Sequence, residues 1–249
     1  MLGRYFKYLL QSKTRYKVHS PFVFQFINEV LRTQADINYL NQYCSRLRSN
    51  ETLIDIQDFG AGSRKQKSNK RKVKEIYKNS SSSPKKADLI RRICEFVNNN
   101  FTILELGTNL GVATYAISQS PKCNKIISIE GCPNLYEFSS NILSGIPNVE
   151  LINSDFDSAL PSILSEHSLN AVYIDGNHTY QATLDYFKII QETEVELVIF
   201  DDIHWSEGML NAWKEICSHE QYHVSVELFN LGILWRRSEQ RKEHFTLRY

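Results

Sequence analysis

No stretch of this chain approaches the roughly 20 consecutive apolar residues that a bilayer-spanning helix needs. The opening MLGRYFKYLL also lacks the uninterrupted apolar region of a secretory leader, so a cytoplasmic protein with no membrane partner is expected. Cysteine is sparse. The five, Cys44, Cys94, Cys123, Cys132 and Cys217, are odd in number and widely spaced, which excludes a disulfide framework and a CxxC metal knuckle. Charge of one sign is also missing overall, since the net value is +1. What remains is a chain of 249 residues, 42% hydrophobic, long enough to bury one substantial core with a smaller appendage.

The most informative segment is Ile103 to Gly111, ILELGTNLG. Its apolar run reads as a strand, Gly107 permits a sharp exit, and Gly111 lets backbone approach closely where the next helix, Val112 to Ser118, begins. A glycine turn alone is equally consistent with a plain tight turn. About twenty residues on, Lys125 to Glu130 reads KIISIE, a strand ending in the carboxylate that a ribose would meet after a βα unit.

The rhythm then repeats. Val149 to Asn153 is followed by Ser154 and Asp155; Ala171 to Ile174 ends at Asp175; Leu197 to Phe200 ends at Asp201 and Asp202. Amphipathic segments lie between them, including Tyr180 to Ile190. Ligands of open α/β sheets bind at the carboxyl ends of strands, and here those ends carry Glu105, Glu130, Asp155, Asp175, Asp201 and Asp202.

This order resembles the class I S-adenosylmethionine-dependent methyltransferases over about residues 85 to 237. The glycine pattern is ExGxxxG rather than GxGxxG, and VSVELFNLGILWRR reads as two apolar strands around Asn230 and Gly232, similar to the terminal hairpin of that family. The resemblance implies an α/β fold: a Rossmann-like, mostly parallel seven-stranded sheet with helices on both faces, the antiparallel hairpin, and an N-terminal helical appendage. It divides the chain into an appendage, 1–84, and a methyltransferase domain, 85–249. It implies that Glu105, Gly107, Thr108, Asn109 and Gly111 hold the methionine part of S-adenosylmethionine. Glu130 with Gly131 would bind the ribose, and Ser154, Asp155 and Phe156 would face adenine.

The chemistry should lie in Asp175 to His178 and Asp201 to His204. The match of D175-G-N-H178 with D201-D202 resembles the metal-dependent small-molecule O-methyltransferases, in which Asp175, Asp201 and Asp202 would ligate Mg²⁺ and His178 would be the general base. Oxygen ligands suit such a hard cation, and an imidazole with an ordinary pKa near 6.5 can accept a hydroxyl proton at neutral pH. Asp202 departs from the catechol-type pattern, which has Asn there. The bland alternative is metal-free: adjacent aspartates cap the helix from Ser206 to Cys217, and Asp175 holds the cofactor amino group. His204 is expected to pack or support, with Trp205 as an apolar wall.

The first eighty residues read as a helical cap. Ser20 can cap a helix with Pro21 at its first position, followed by Phe22, Val23, Phe26, Ile27, Val30 and Leu31 at helical spacing. Tyr5, Phe6, Leu9 and Leu10 are expected to form a second short amphipathic helix packed nearby, and His19 to pack or hydrogen-bond. LIDIQDFGAG, Leu53 to Gly62, imitates a cofactor loop without its helix and is assigned to a turn near the active-site mouth. Arg64 to Lys78 carries net +7 while the remainder sums to −6. It reads as a solvated loop or mobile helix, with a nucleic-acid or protein methyltransferase as the alternative function. A third possibility is a protein that binds the cofactor without catalysis. The expected acceptor is a small hydroxylated molecule, and the absence of an NPPY-like tetrad disfavours amino methylation of bases.

Overall fold

The computed structural model describes residues 2–57, 69–97 and 99–249. In chain order the elements open with helices α1 (Leu2–Gln11) and α2 (Pro21–Phe26), the latter running into a wider turn over Ile27–Leu31, and α3 (Asn38–Arg48). Strands β1 (Leu53–Asp55) and β2 (Lys70–Lys72) precede α4 (Val73–Ser80) and α5 (Pro84–Val97). Strands and helices then alternate: β3 (Phe101–Leu106), α6 (Val112–Ser118), β4 (Cys123–Glu130), α7 (Pro133–Leu143), β5 (Val149–Asn153), α8 (Phe156–Glu166), β6 (Ala171–Ile174), α9 (Tyr180–Gln191) and β7 (Leu197–Asp201). The chain ends with α10 (Glu207–Cys217), β8 (Val224–Leu228), β9 (Leu231–Trp235) and β10 (Glu243–Thr246). Eight of these strands belong to one mostly parallel sheet, the Rossmann-like arrangement expected.

The residues group into two compact units, 33–159 and 1–32 with 160–249. In the first, β3, β4 and β5 pair in parallel, with Glu105 opposite Ser128 and Glu130 opposite Asn153. Ile103, Leu104, Leu106, Ile126, Ile127 and Ile129 are fully buried there, as strands covered on both faces require. A separate antiparallel pair joins β1 to β2. In the second unit β6 and β7 pair in parallel, while β9 runs antiparallel to both β7 and β8. The expected terminal hairpin is therefore present. Beyond it lies a strand the sequence did not suggest, β10, parallel to β8; its EHFT has too little apolar character to stand out, although Phe245 is fully buried.

Local chemistry accounts for the helix starts. Ser20 Oγ accepts the Val23 N–H with Pro21 in first position, and Thr179 and Ser206 cap α9 and α10 by accepting the Ala182 and Met209 N–H groups. Gly232 in β9 is required by packing, because a Cβ there would lie 2.7 Å from the Trp213 ring.

Four expectations for the N-terminal third change. Helix α1 forms, but Phe6 and Leu10 face solvent, and Tyr8 is buried. Residues 53–55, assigned to a turn, form β1, because Lys70–Lys72 pairs with them; residues 58–62 lie outside the described part. The basic run is structured from Lys70 onward, with Arg71, Val73 and Ile76 buried; residues 64–68 lie outside the described part. His19 is exposed rather than packed.

Candidate active site

In the unit 33–159, the loop after β3 is shaped by backbone that side chains resist. Gly107, Asn109 and Gly111 all have positive φ, at 108°, 52° and 69°. Gly111 is also hemmed in, since a Cβ there would lie 2.7 Å from the Tyr43 hydroxyl and 2.8 Å from Leu143. Tyr43 in turn donates to the Leu110 carbonyl at 2.7 Å, so α3 braces the loop from behind. The Gly107 and Thr108 N–H groups both donate to Ile129 O, tying the loop to the end of β4.

Two acids meet this loop. Glu130 accepts the Asn109 N–H at Oε2 (2.8 Å) and the Cys132 N–H at Oε1 (2.9 Å), which leaves a further lone pair on each oxygen. Burial raises its pKa, opposed by the Cys132 and Asn109 hydrogen bonds. Glu105 is buried outright. Its Oε2 accepts Thr114 Oγ1 at 2.5 Å and Ser128 Oγ at 2.6 Å, and Thr108 Oγ1 lies 2.6 Å from Ser128 Oγ. Among the described residues its Oε1 has no hydrogen-bond partner. Burial pushes the Glu105 pKa up to about 7, and the charge of Glu130 adds to this against the two hydroxyl hydrogen bonds. A buried carboxyl oxygen without a donor fits a site that receives a donor from a ligand.

Gly131 and Ser154 are brought to the same strand ends: Asn153 Nδ2 donates to Glu130 O, and Ser154 N–H donates to Glu130 O at 3.3 Å. Asp155 is exposed and caps α8, accepting Ser158 N–H at 2.8 Å and Ser158 Oγ at 2.9 Å, bonds that lower its pKa. Phe156 opens that helix. The end of β1 packs here as well, because Asn134 Nδ2 donates to Asp55 O at 2.7 Å.

The other unit holds the acid and imidazole groups. Asp175 follows β6 and His178 stands three residues on, with Nε2 3.7 Å from Asp175 Oδ1, an electrostatic contact longer than a hydrogen bond. Asn177 adopts positive φ, and its Nδ2 donates to Tyr186 at 3.0 Å, which holds the turn carrying His178. Both side chains of the pair are about one fifth exposed.

A residue the sequence reading passed over organises the carboxylates. Tyr173 Oη lies 2.9 Å from Asp175 Oδ2 and 3.0 Å from Asp201 Oδ2. The signal was available, because Tyr173 and Asp175 share one strand face by the two-residue alternation of β6. Asp201 is buried, and its Oδ1 accepts the N–H of Asp202, whose φ is +51°. Among the described residues no group of three or more His, Cys, Asp or Glu is placed to hold a metal ion. Asp175 and Asp201 are linked through the Tyr173 hydroxyl. The aspartates do not cap α10; Ser206 does. His204 is structural as expected: Nε2 pairs with Glu227 Oε1 at 2.9 Å and the ring stacks on Phe229.

The basic run offers less positive charge than its composition suggests, since both Lys72 and Lys74 contact Glu51.

Against known proteins, residues 104–203 match the family described as a methyltransferase domain, a span from within β3 to just past β7. Over that span, about two fifths of the chain, the sequence is similar to a methyltransferase domain. Solved structures share the fold. The O-methyltransferase from Bacillus cereus in complex with SAH aligns over 86% of this chain and 96% of its own, at 13% identity and a TM-score of 0.53. The Streptomyces achromogenes O-methyltransferase of tomaymycin synthesis, in complex with SAM, aligns over 64% and 83%, at 13% identity and 0.54. The SAH-bound methyltransferase PaMTH1 from Podospora anserina aligns over 64% and 81%, at 14% identity and 0.55. No curated protein matches the chain in sequence.

Proposed function

We propose that this chain is an S-adenosylmethionine-dependent methyltransferase that methylates a hydroxyl oxygen of a small molecule, with His178 accepting the hydroxyl proton. The observation that carries the donor assignment is the buried, unpartnered Oε1 of Glu105 beside a positive-φ loop clamped by Glu130. Bound there, the cofactor supplies an electrophilic methyl group on a sulfonium. Gly107, Thr108, Asn109 and Gly111 present backbone to its amino-acid part, with Glu105 behind them. Glu130 and Gly131 receive the ribose hydroxyls, and Ser154, Asp155 and Phe156 line the adenine side. In this reading residues 85–249 form the transfer domain, residues 1–84 supply acceptor contacts, and the protein works in the cytoplasm. The O-methyltransferase assignment of two of the solved relatives supports oxygen as the acceptor atom.

His178 does the proton work. Methyl displacement needs the acceptor oxygen stripped of its proton and held in line, and a neutral imidazole does the first at physiological pH. Asp175 Oδ1 stands 3.7 Å from the Nε2 of His178. No step of this mechanism is routed through magnesium; Asp175, Asp201 and Asp202 are the residues that would hold it, with Tyr173 joining two of them.

Calorimetry with S-adenosylmethionine, followed by methyl transfer to a panel of phenols and sugars with and without EDTA, tests the reading. Binding followed by turnover that survives EDTA is expected. Absence of binding overturns the donor assignment, and binding without turnover on any acceptor favours a non-catalytic role. Turnover lost in EDTA and restored by Mg²⁺ would reinstate the three aspartates as ligands.

A further inference from the structure

The first 28 residues contain Arg4, Lys7, Lys13, Arg15 and Lys17 and no acidic residue; Glu29 is the first. This segment holds a net +5 in a chain whose total is +1. It is also where apolar surface is left uncovered. Of the eight large apolar side chains exposed among the described residues, Tyr5, Phe6, Leu10, Tyr16 and Phe24 all lie within it. Phe6 is 69% exposed, Leu10 81% and Tyr16 78%, far more than scattered surface hydrophobics explain.

Helix α1 has two faces, and one is firmly attached. Arg4 Nη1 donates to His204 O at 2.8 Å, Tyr8 Oη donates to Leu247 O, and the rings of Tyr5 and Tyr8 lie 4.9 and 5.4 Å from that of Phe229. Just beyond the helix, Lys13 N–H donates to Thr246 O at 2.7 Å. Phe6 and Leu10, four apart, lie on a stripe this anchoring leaves outward. Exposed Lys7 lies beside that stripe, and Arg15, Tyr16 and Lys17 follow on the next turn of chain. Exposed Arg248 joins them by donating to Leu9 O at 3.0 Å, and Tyr249 beside it is 54% exposed.

We infer that this face docks the protein peripherally on an anionic lipid surface, with Phe6, Leu10 and Tyr16 entering the interface and Lys7, Arg15, Lys17 and Arg248 meeting the headgroups. An apolar stripe rimmed by cations on a helix fixed by its other face is what interfacial helices present. A second copy of the chain would bring like charges together. A nucleic acid would gain nothing from the aliphatic Leu10, since single strands use aromatic platforms. The inference concerns a surface and not a span: among the described residues no helix is long and apolar enough to cross a membrane.

The test is flotation of the full chain with vesicles of phosphatidylcholine alone or mixed equally with phosphatidylglycerol. Binding to the anionic vesicles only, weakened by salt, is expected. Phe6→Ser with Leu10→Ser should lower partitioning by about tenfold or more while thermal melting and S-adenosylmethionine binding stay unchanged. Leu10→Trp should show a fluorescence blue shift with anionic vesicles. No flotation at low salt, or flotation unaffected by the double substitution, overturns the inference. So does concentration-dependent dimerisation that the double substitution abolishes, which would assign the face to a second copy.

Discussion

The backbone N–H of Asn109 donates to Glu130 Oε2 at 2.8 Å, so the acid that ends β4 holds the loop that leaves β3. One side chain thereby shapes the loop after β3 and, in the proposed function, grips the ribose. Glu130→Gln keeps an acceptor for one N–H but turns an NH₂ towards the other. It should cost about 1.5–3 kcal/mol of stability. S-adenosylmethionine affinity should fall by at least about tenfold. Chemical denaturation and calorimetry check both, and unchanged affinity would remove Glu130 from the site.

Gly111 has two reasons to be glycine. Its φ of 69° strains any other residue, and an added Cβ meets Tyr43 and Leu143. Gly111→Ala should destabilise by about 2 kcal/mol or more. Adding Tyr43→Phe removes only the hydroxyl contact, so the double variant should recover part of the loss and not all of it. Full recovery would show that backbone strain contributes little.

The Glu105 carboxyl has a folded-state pKa of about 7, above its ordinary 4.5. Between these values the folded protein holds a proton that the unfolded chain has released, so stability should fall as pH rises from about 4.5 to about 7. Glu105→Gln should flatten that slope and match or exceed the stability of the parent at pH above this window, while binding S-adenosylmethionine more weakly. Denaturant titrations across the window decide it; parallel slopes would mean that Glu105 is not the titrating group.

His178→Ala should reduce kcat by about a hundredfold to ten-thousandfold, the range for loss of a general base. The dissociation constant for S-adenosylmethionine should not change. A variant that keeps the parent rate would place the base elsewhere.

How much was legible in advance can be argued from single elements. The alternation from β3 to β7, the cap at Ser20 and the β8–β9 hairpin were readable, because apolar periodicity and capping chemistry are local. Strand β10 was not, since EHFT pairs with β8 only because β8 is already in place. Glu105 and Glu130 could be nominated as acids at strand ends, but not the clamp on Asn109, which needs a contact across 21 residues. Asp175 and Asp201 could be grouped by strand order; that Tyr173 stands between them depends on side-chain direction in the assembled unit.

The sequence by itself therefore determined the order of strands, helices and acids, and with it a Rossmann-like fold and the glycine loop after β3. Tertiary structure decided which carboxyl oxygens are satisfied, which pair shares the Tyr173 hydroxyl, and which face of α1 stays bare. The reason is physical. Periodicity and capping act over a few residues, whereas burial, hydrogen-bond satisfaction and exposure are set by neighbours brought together from distant parts of the chain.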